Sequence, residues 1–142
     1  MNILLLNGPN LNLLGEREPE VYGTTTLAQL EQLVTTRALE LGCAVRAFQS
    51  NHEGALIDRL HEARKWGQGC IFNPGAYTHT SYALRDAIAS VPQLKVVEVH
   101  LSDLAKREPW RQVSLIAEVV AHRIMGKGVA GYLEALEWLV KA

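Results

Sequence analysis

Cysteine is scarce in this sequence, and a long apolar run is absent. Only Cys43 and Cys70 occur. Each sits in an apolar stretch that reads as a strand or its edge, with no close metal-ligand spacing. The expectation is two buried free thiols in a reducing cytoplasm. The N-terminal run Ile3-Leu4-Leu5-Leu6 stops at Asn7-Gly8-Pro9, too short for a signal-peptide core or a spanning helix. An excess of either charge is also missing: 14 basic against 15 acidic side chains leave a formal charge of -1. That removes a general drive toward nucleic acid or an anionic membrane and leaves small-molecule chemistry or protein contact. No internal repeat, low-complexity tract or Pro/Gly/Ser linker divides the 142 residues, so one domain over 1–142 is expected. With 48% hydrophobic residues it can bury a real core.

What is present alternates between short apolar runs and longer helical periodicities, the pattern of β/α units. Ile3 to Leu6, Val45 to Phe48, Cys70 to Phe72 and Val96 to Val99 read as parallel strands covered on both faces. Between the first two, Leu27, Leu30, Val34, Ala38 and Leu41 recur at helical spacing. Thr26 and Gln29 are placed as a capping box, and Gly42 is the stop. A second helix is expected after the cap pair Ser50 and Glu53, with Leu56, Ile57, Leu60 and Ala63 inward, and a third carries Leu84 and Ile88. The apolar residues of Val113 to Met125 fit a helix, a strand, or a helix leading into a strand, and the last, giving a fifth strand, is favoured. Gly126-Lys127-Gly128 lacks the length and the hydroxyl residue of a P-loop and reads as a turn. A terminal amphipathic helix with Tyr132, Leu133, Leu136, Leu139 and Val140 on one side follows Gly131.

Right-handed crossovers and covered faces then give an α/β, flavodoxin-like three-layer sandwich around a five-stranded parallel sheet. Ligands of such folds bind at the carboxyl ends of the strands. That rule selects three loops: Asn7 to Gly23, Asn73 to Thr80, and His100 to Arg111.

The first loop exceeds the usual two to six residues of a βα connection and suits a lid. The alternative is a surface excursion with Tyr22 packed on the next helix. Arg17 and Tyr22 on one segment favour function. A phenol is a poor base near neutral pH, and an adjacent guanidinium favours its phenolate form, so Arg17 equips Tyr22 as a base. His100 follows Glu98 by two residues, which points both side chains the same way on a strand; the carboxylate can then orient or charge the imidazole for proton donation. The alternative is a histidine satisfied by backbone at a sheet terminus. Asn73-Pro74-Gly75-Ala76 offers a tight turn where backbone amides and the Asn73 side chain can approach a small oxygenated ligand. His79, His100, Glu98 and Asp103 show no recognised metal spacing, and no metal site is expected. His52, His61 and His122 fall in helix or turn contexts with surface or capping roles. A non-catalytic flavodoxin-like binding or signalling module is the rival reading. The neutral Asn7-Gly8-Pro9-Asn10 disfavours it, because a phospho-receiver needs acids there and a flavin-phosphate loop needs hydroxyls.

Four ordered blocks carry a resemblance: Leu6-Asn7-Gly8-Pro9-Asn10-Leu11-Asn12, Gly15-Glu16-Arg17-Glu18-Pro19-Glu20-Val21-Tyr22-Gly23, Phe72-Asn73-Pro74-Gly75-Ala76-Tyr77-Thr78-His79-Thr80-Ser81, and Glu98-Val99-His100-Leu101-Ser102. Over nearly its whole length the chain resembles the type II 3-dehydroquinate dehydratases, enzymes of the shikimate pathway. The resemblance implies an anti elimination through an enolate, without cofactor, metal or Schiff base, in a homododecamer built of trimers. It implies Tyr22 as the base with Arg17 holding it as phenolate, Asn10 positioning a water at the enolate oxygen, and His100, assisted by Asn73, protonating the leaving hydroxyl. Backbone amides of Leu101 and Ser102 would hold the substrate carboxylate, and His79 and Arg111 the ring hydroxyls. Asp86 would reach a neighbouring subunit's site, with Glu98 and Arg107 in support; on an isolated chain Asp86 reads simply as an exposed helix acid. The chain departs from the family pattern at Asp103, Ala105, Gln112 and Val113, where the family commonly has asparagine and histidines. These changes are expected to affect loop packing or subunit contacts rather than the reaction.

Overall fold

The computed structural model describes residues 1–142. Its five strands are β1 (Asn2–Asn7), β2 (Ala44–Gln49), β3 (Gly69–Asn73), β4 (Lys95–His100) and β5 (His122–Met125). They pair in parallel in the order β2-β1-β3-β4-β5, the expected flavodoxin-like order, which reverses direction between β1 and β3. The helices are α1 (Pro19–Tyr22), α2 (Leu27–Glu40), α3 (Glu53–Ala63), α4 (Tyr82–Ala89) and α5 (Ala130–Lys141).

Alternation along β1 sorts the layers, because successive strand side chains point to opposite faces. Ile3 and Leu5 join a core with Leu30, Val34 and Ala38 of α2 and Tyr132, Ala135, Leu136 and Leu139 of α5. Leu4 and Leu6 join the opposite core with Leu56 and Leu60 of α3 and Leu84 and Ile88 of α4. Burying each of the leucine, isoleucine and valine side chains contributes about 1.5–3 kcal/mol relative to leaving it in water. Both thiols are free and buried. The long α2 starts on the expected capping box: Thr26 accepts from the Gln29 amide, and the Gln29 side chain accepts from the Thr26 amide.

Four expectations change. β2 pairs only with β1, and its Ala44, Arg46 and Ala47 are exposed, so it is an edge strand rather than one covered on both faces. Ser50 does not cap α3; its hydroxyl accepts from the His52 amide, and the Glu53 carboxylate instead accepts from the Ser81 hydroxyl at 2.5 Å. No helix forms over 113–121. One turn closes when the Val119 and Val120 amides bond to the Ile116 carbonyl. Leu115 then donates to the Thr78 carbonyl and Ala121 to the Val96 carbonyl, so tertiary partners take the groups that a helix would use. His122 lies in β5, stacked on Trp138 with ring centroids 4.9 Å apart, rather than in a helix or turn. No helix is long and apolar enough to cross a membrane.

Candidate active site

The carboxyl ends of β1, β3 and β4 meet where two glycines let the backbone close up. Gly8 donates to the Asn73 carbonyl at 2.7 Å. A Cβ on it would sit 2.7 Å from the Pro74 carbonyl oxygen, so only glycine fits there without moving backbone. Gly75 answers from the other side with φ +61 and with the Pro9 carbonyl 3.1 Å from where its Cβ would be. The turns after β1 and β3 are thereby locked together.

One cleft opens beside this junction. It is lined by Asn10, Arg17, Tyr22, Asn73, His79, His100, Leu101, Ser102, Arg107 and Arg111. All three loops selected from the sequence contribute to it. Three arginines and two histidines line the cleft and no acid does, so it suits a small anion although the chain as a whole is nearly neutral.

The segment after β1 carries Tyr22 on the single turn α1. Leu11 and Leu14 anchor this segment in the core, while Glu18 before the turn takes a left-handed φ of 37°, a conformation that side chains with a Cβ adopt reluctantly. The Arg17 guanidinium lies over the Tyr22 ring, 4.5 Å from its centroid. The hydrogen bond to the phenol oxygen comes from a different arginine: Arg107 Nη1 donates to Tyr22 Oη at 2.8 Å and to Ser102 Oγ at 3.2 Å. Arg17 touches only the π face, whereas Arg107, rising from the segment after β4, also lies over the ring, 5.3 Å from its centroid, and reaches the hydroxyl. Glu108 brackets the arginines, 2.8 Å from Arg111 Nε and 3.8 Å from Arg107 Nε.

Glu98 and His100 face the same way from β4, as strand periodicity predicts. Nε2 of the imidazole lies 2.5 Å from Glu98 Oε2. Glu98 is fully buried and also accepts from the Thr78 hydroxyl at 2.6 Å, the Ser114 hydroxyl at 3.0 Å and Arg123 Nε at 2.8 Å. Burial pushes its carboxyl up. The hydrogen bond and charge of His100, the Thr78 hydroxyl and the Arg123 guanidinium outweigh that and hold it at about 2. His79 donates through Nδ1 to the Val113 carbonyl at 2.7 Å, and its ring meets Trp110 edge-on. Burial lowers its pKa. Because backbone serves His79, the side chain at 113 is free to vary, and Gln112 bonds only to the Arg107 carbonyl.

Asn73 is tied at both ends of its amide. Its oxygen accepts from the Gly75 amide at 3.0 Å, and its nitrogen donates to Tyr132 Oη at 2.9 Å. The Tyr132 hydroxyl donates in turn to Asn7 Oδ1 at 2.7 Å. The backbone amides of Leu101 and Ser102 donate to no protein acceptor, which leaves two N–H groups for a ligand. Asn10 has a left-handed φ of 71° and donates its amide to Asn51, a conformation asparagine tolerates. Asp86 is exposed on α4 and lies outside its own chain's cleft. The sequence reading missed Asn7, Thr78, Ser114, Arg123 and Tyr132. Thr78 and Asn7 sit inside the quoted blocks, and the other three carry no local signal.

The dehydroquinase class II family model matches residues 1–140. The chain is 57% identical over 136 residues to the 3-dehydroquinate dehydratase of Anoxybacillus flavithermus, covering 96% of this chain and 91% of that one. It is 52% identical to the protein of Aspergillus terreus named catabolic 3-dehydroquinase 1, covering 96% and 89%. Among solved structures, the type II dehydroquinase of Butyrivibrio crossotus superposes with a TM-score of 0.96 at 45% identity, covering 98% and 97%. These likenesses give no support to a non-catalytic binding or signalling module. The chain belongs to the class II dehydroquinase family.

Proposed function

We propose that residues 1–142 form one catalytic domain that dehydrates 3-dehydroquinate to 3-dehydroshikimate by anti elimination through an enolate, a step of the shikimate pathway. The observation that carries the proposal is the cleft itself, where a phenol with a guanidinium on its oxygen shares space with an imidazole backed by an ionised carboxylate. Such a pair supplies a base and an acid held in one place.

Tyr22, as phenolate, takes the proton from the carbon beside the ketone, and the electron pair moves onto the ketone oxygen. Asn10 positions a water that stabilises that oxygen. When the pair returns, the C1–O bond breaks; the hydroxyl takes a proton from His100, assisted by Asn73, and leaves as water. A proton passing back through solvent from Tyr22 to His100 resets the site. Arg17 covers the Tyr22 ring and Arg107 holds its oxygen. The free amides of Leu101 and Ser102 receive the substrate carboxylate, and His79 and Arg111 the ring hydroxyls. Closing the segment that carries Tyr22 excludes water and strengthens each of these charge interactions. No protein-bound metal, cofactor or lysine adduct enters the scheme.

The working assembly is a homododecamer of trimers in the cytoplasm, in which Asp86 completes a neighbouring subunit's cleft. Its exposure on α4, away from its own cleft, supports that reading. The test is to mix purified protein with 3-dehydroquinate and follow the ultraviolet absorbance of the conjugated product, beside a Tyr22→Phe variant. Wild-type turnover that collapses in the variant is expected. Equal turnover of the two would remove Tyr22 as the base, and an inactive wild type would overturn the assignment.

A further inference from the structure

Glu98 is fully buried, and each of its oxygens faces a different charged group. Oε2 faces His100, and Oε1 accepts from Arg123 Nε at 2.8 Å. Arg123 comes from β5, on the far side of β4 from the turns that hold Asn10 and Asn73, and it does not line the cleft. Thr78 and Ser114 fill the remaining lone pairs with neutral hydroxyls. The carboxylate therefore has two cationic partners available, one permanent and one that changes charge as it gives up a proton.

The distinction matters because a buried carboxylate without a cation is strongly disfavoured. Were His100 its only partner, losing the imidazole proton would strand the negative charge in the interior, and the pair would resist that loss. With Arg123 on the other oxygen, one cation remains after His100 has delivered its proton. The Arg123 side chain is 29% exposed against 0% for Glu98, so its own charge stays partly solvated.

We propose that Arg123 is a positioning residue that compensates the Glu98 charge, so that Glu98 can orient the His100 ring without retaining the proton His100 must donate. This rests on the proposed function for the role of His100 as acid. Glu98 on β4 contacts His100 directly, and the charged and titratable groups that share its cleft are His79 after β3, Arg107 and Arg111 after β4, and Arg17 and Tyr22 from the segment after β1. Arg123 acts on the ring only through Glu98.

The test compares Arg123→Gln, which keeps an N–H donor for Glu98 but no charge, with Arg123→Lys, which keeps the charge. Arg123→Met serves as a second neutral variant should Gln fail to fold. In the neutral variants the basic limb of kcat/KM against pH is expected to move up by about one pH unit and kcat to fall about tenfold, with KM within about twofold. Arg123→Lys is expected to keep the wild-type limb. A limb that stays put in the neutral variants, or moves equally in Lys and Gln, overturns the proposal, because a merely structural role does not discriminate by charge. A proton NMR titration of the His100 ring, assigned by its loss in His100→Ala, reads the same displacement without turnover. A ring that responds to Arg123→Gln in a protein inactive toward 3-dehydroquinate would leave this inference standing and remove the proposed function.

Discussion

Arg107 donates to the phenol oxygen of Tyr22 at 2.8 Å across 85 positions of sequence, tying the segment after β4 to the one after β1. Arg17, five residues from Tyr22, meets only the ring face. Arginine has several donors in a fixed plane, and this one also holds Ser102, beside an amide free to bind a ligand.

Arg107→Leu should therefore harm catalysis more than its position outside the phenol's own loop suggests. Loss of a partner that sets a base lowers kcat by about a hundredfold or more, and steady-state kinetics should show a fall of that order. Arg107→Lys should recover only part of it, since a flexible ammonium lacks the planar fork that aims Nη1 at Tyr22 Oη and Ser102 Oγ together. A Lys variant with wild-type kcat would show that charge alone suffices.

Glu98 predicts how stability responds to acid. Its carboxyl is lowered from an ordinary 4.5 to about 2; burial opposes the shift, and His100, Thr78 and Arg123 outweigh it. For a group depressed in the folded state, the unfolded chain binds more protons between the two values. Its stabilisation is therefore present above about 4.5 and is lost as pH falls toward 2. Urea unfolding at several pH values should show wild-type stability declining through that window, with a shallower decline in Glu98→Gln. Parallel slopes would mean that other carboxyls dominate acid unfolding.

Tyr132→Phe removes the hydroxyl between Asn7 and Asn73 while keeping the ring in its core. Burial pushes that phenol's pKa up, so it stays a neutral donor at working pH. Leaving two buried amides without their partner costs about 1–3 kcal/mol for each unsatisfied group. Chemical denaturation should detect the loss, and kcat should fall with it because Asn73 loses one of its two anchors. Unchanged stability would indicate that water replaces the hydroxyl.

Much of this was legible because its signals are local. Strand-sized runs, the Thr26–Gln29 box and the Glu98–His100 spacing each depend on residues a few positions apart, and the structure keeps all of them. The site blocks sit where a parallel sheet must put them, at strand ends. What could not be read is pairing between distant segments. Nothing near Tyr22 indicates that Arg107, rather than Arg17, meets its oxygen, and nothing near Arg123 points to Glu98. The segment 113–121 misleads for a related reason: its apolar residues fit a helix, but the carbonyls of Thr78 and Val96 compete for its amides and win. Likewise, the apolar run in β2 does not announce that it ends at a sheet edge.

The Tyr132 bridge also bears on how the molecule comes into being. Asn7 ends the first strand to be synthesised, and Tyr132 lies 125 positions later. A ribosome adding about 5–20 residues per second takes many seconds to cover that span. During that time β1 and β3 can pair, yet the amides of Asn7 and Asn73 have no phenol between them. The seat for substrate is thus finished by α5, and a nascent chain stalled short of it holds the reacting groups without the clamp that sets them.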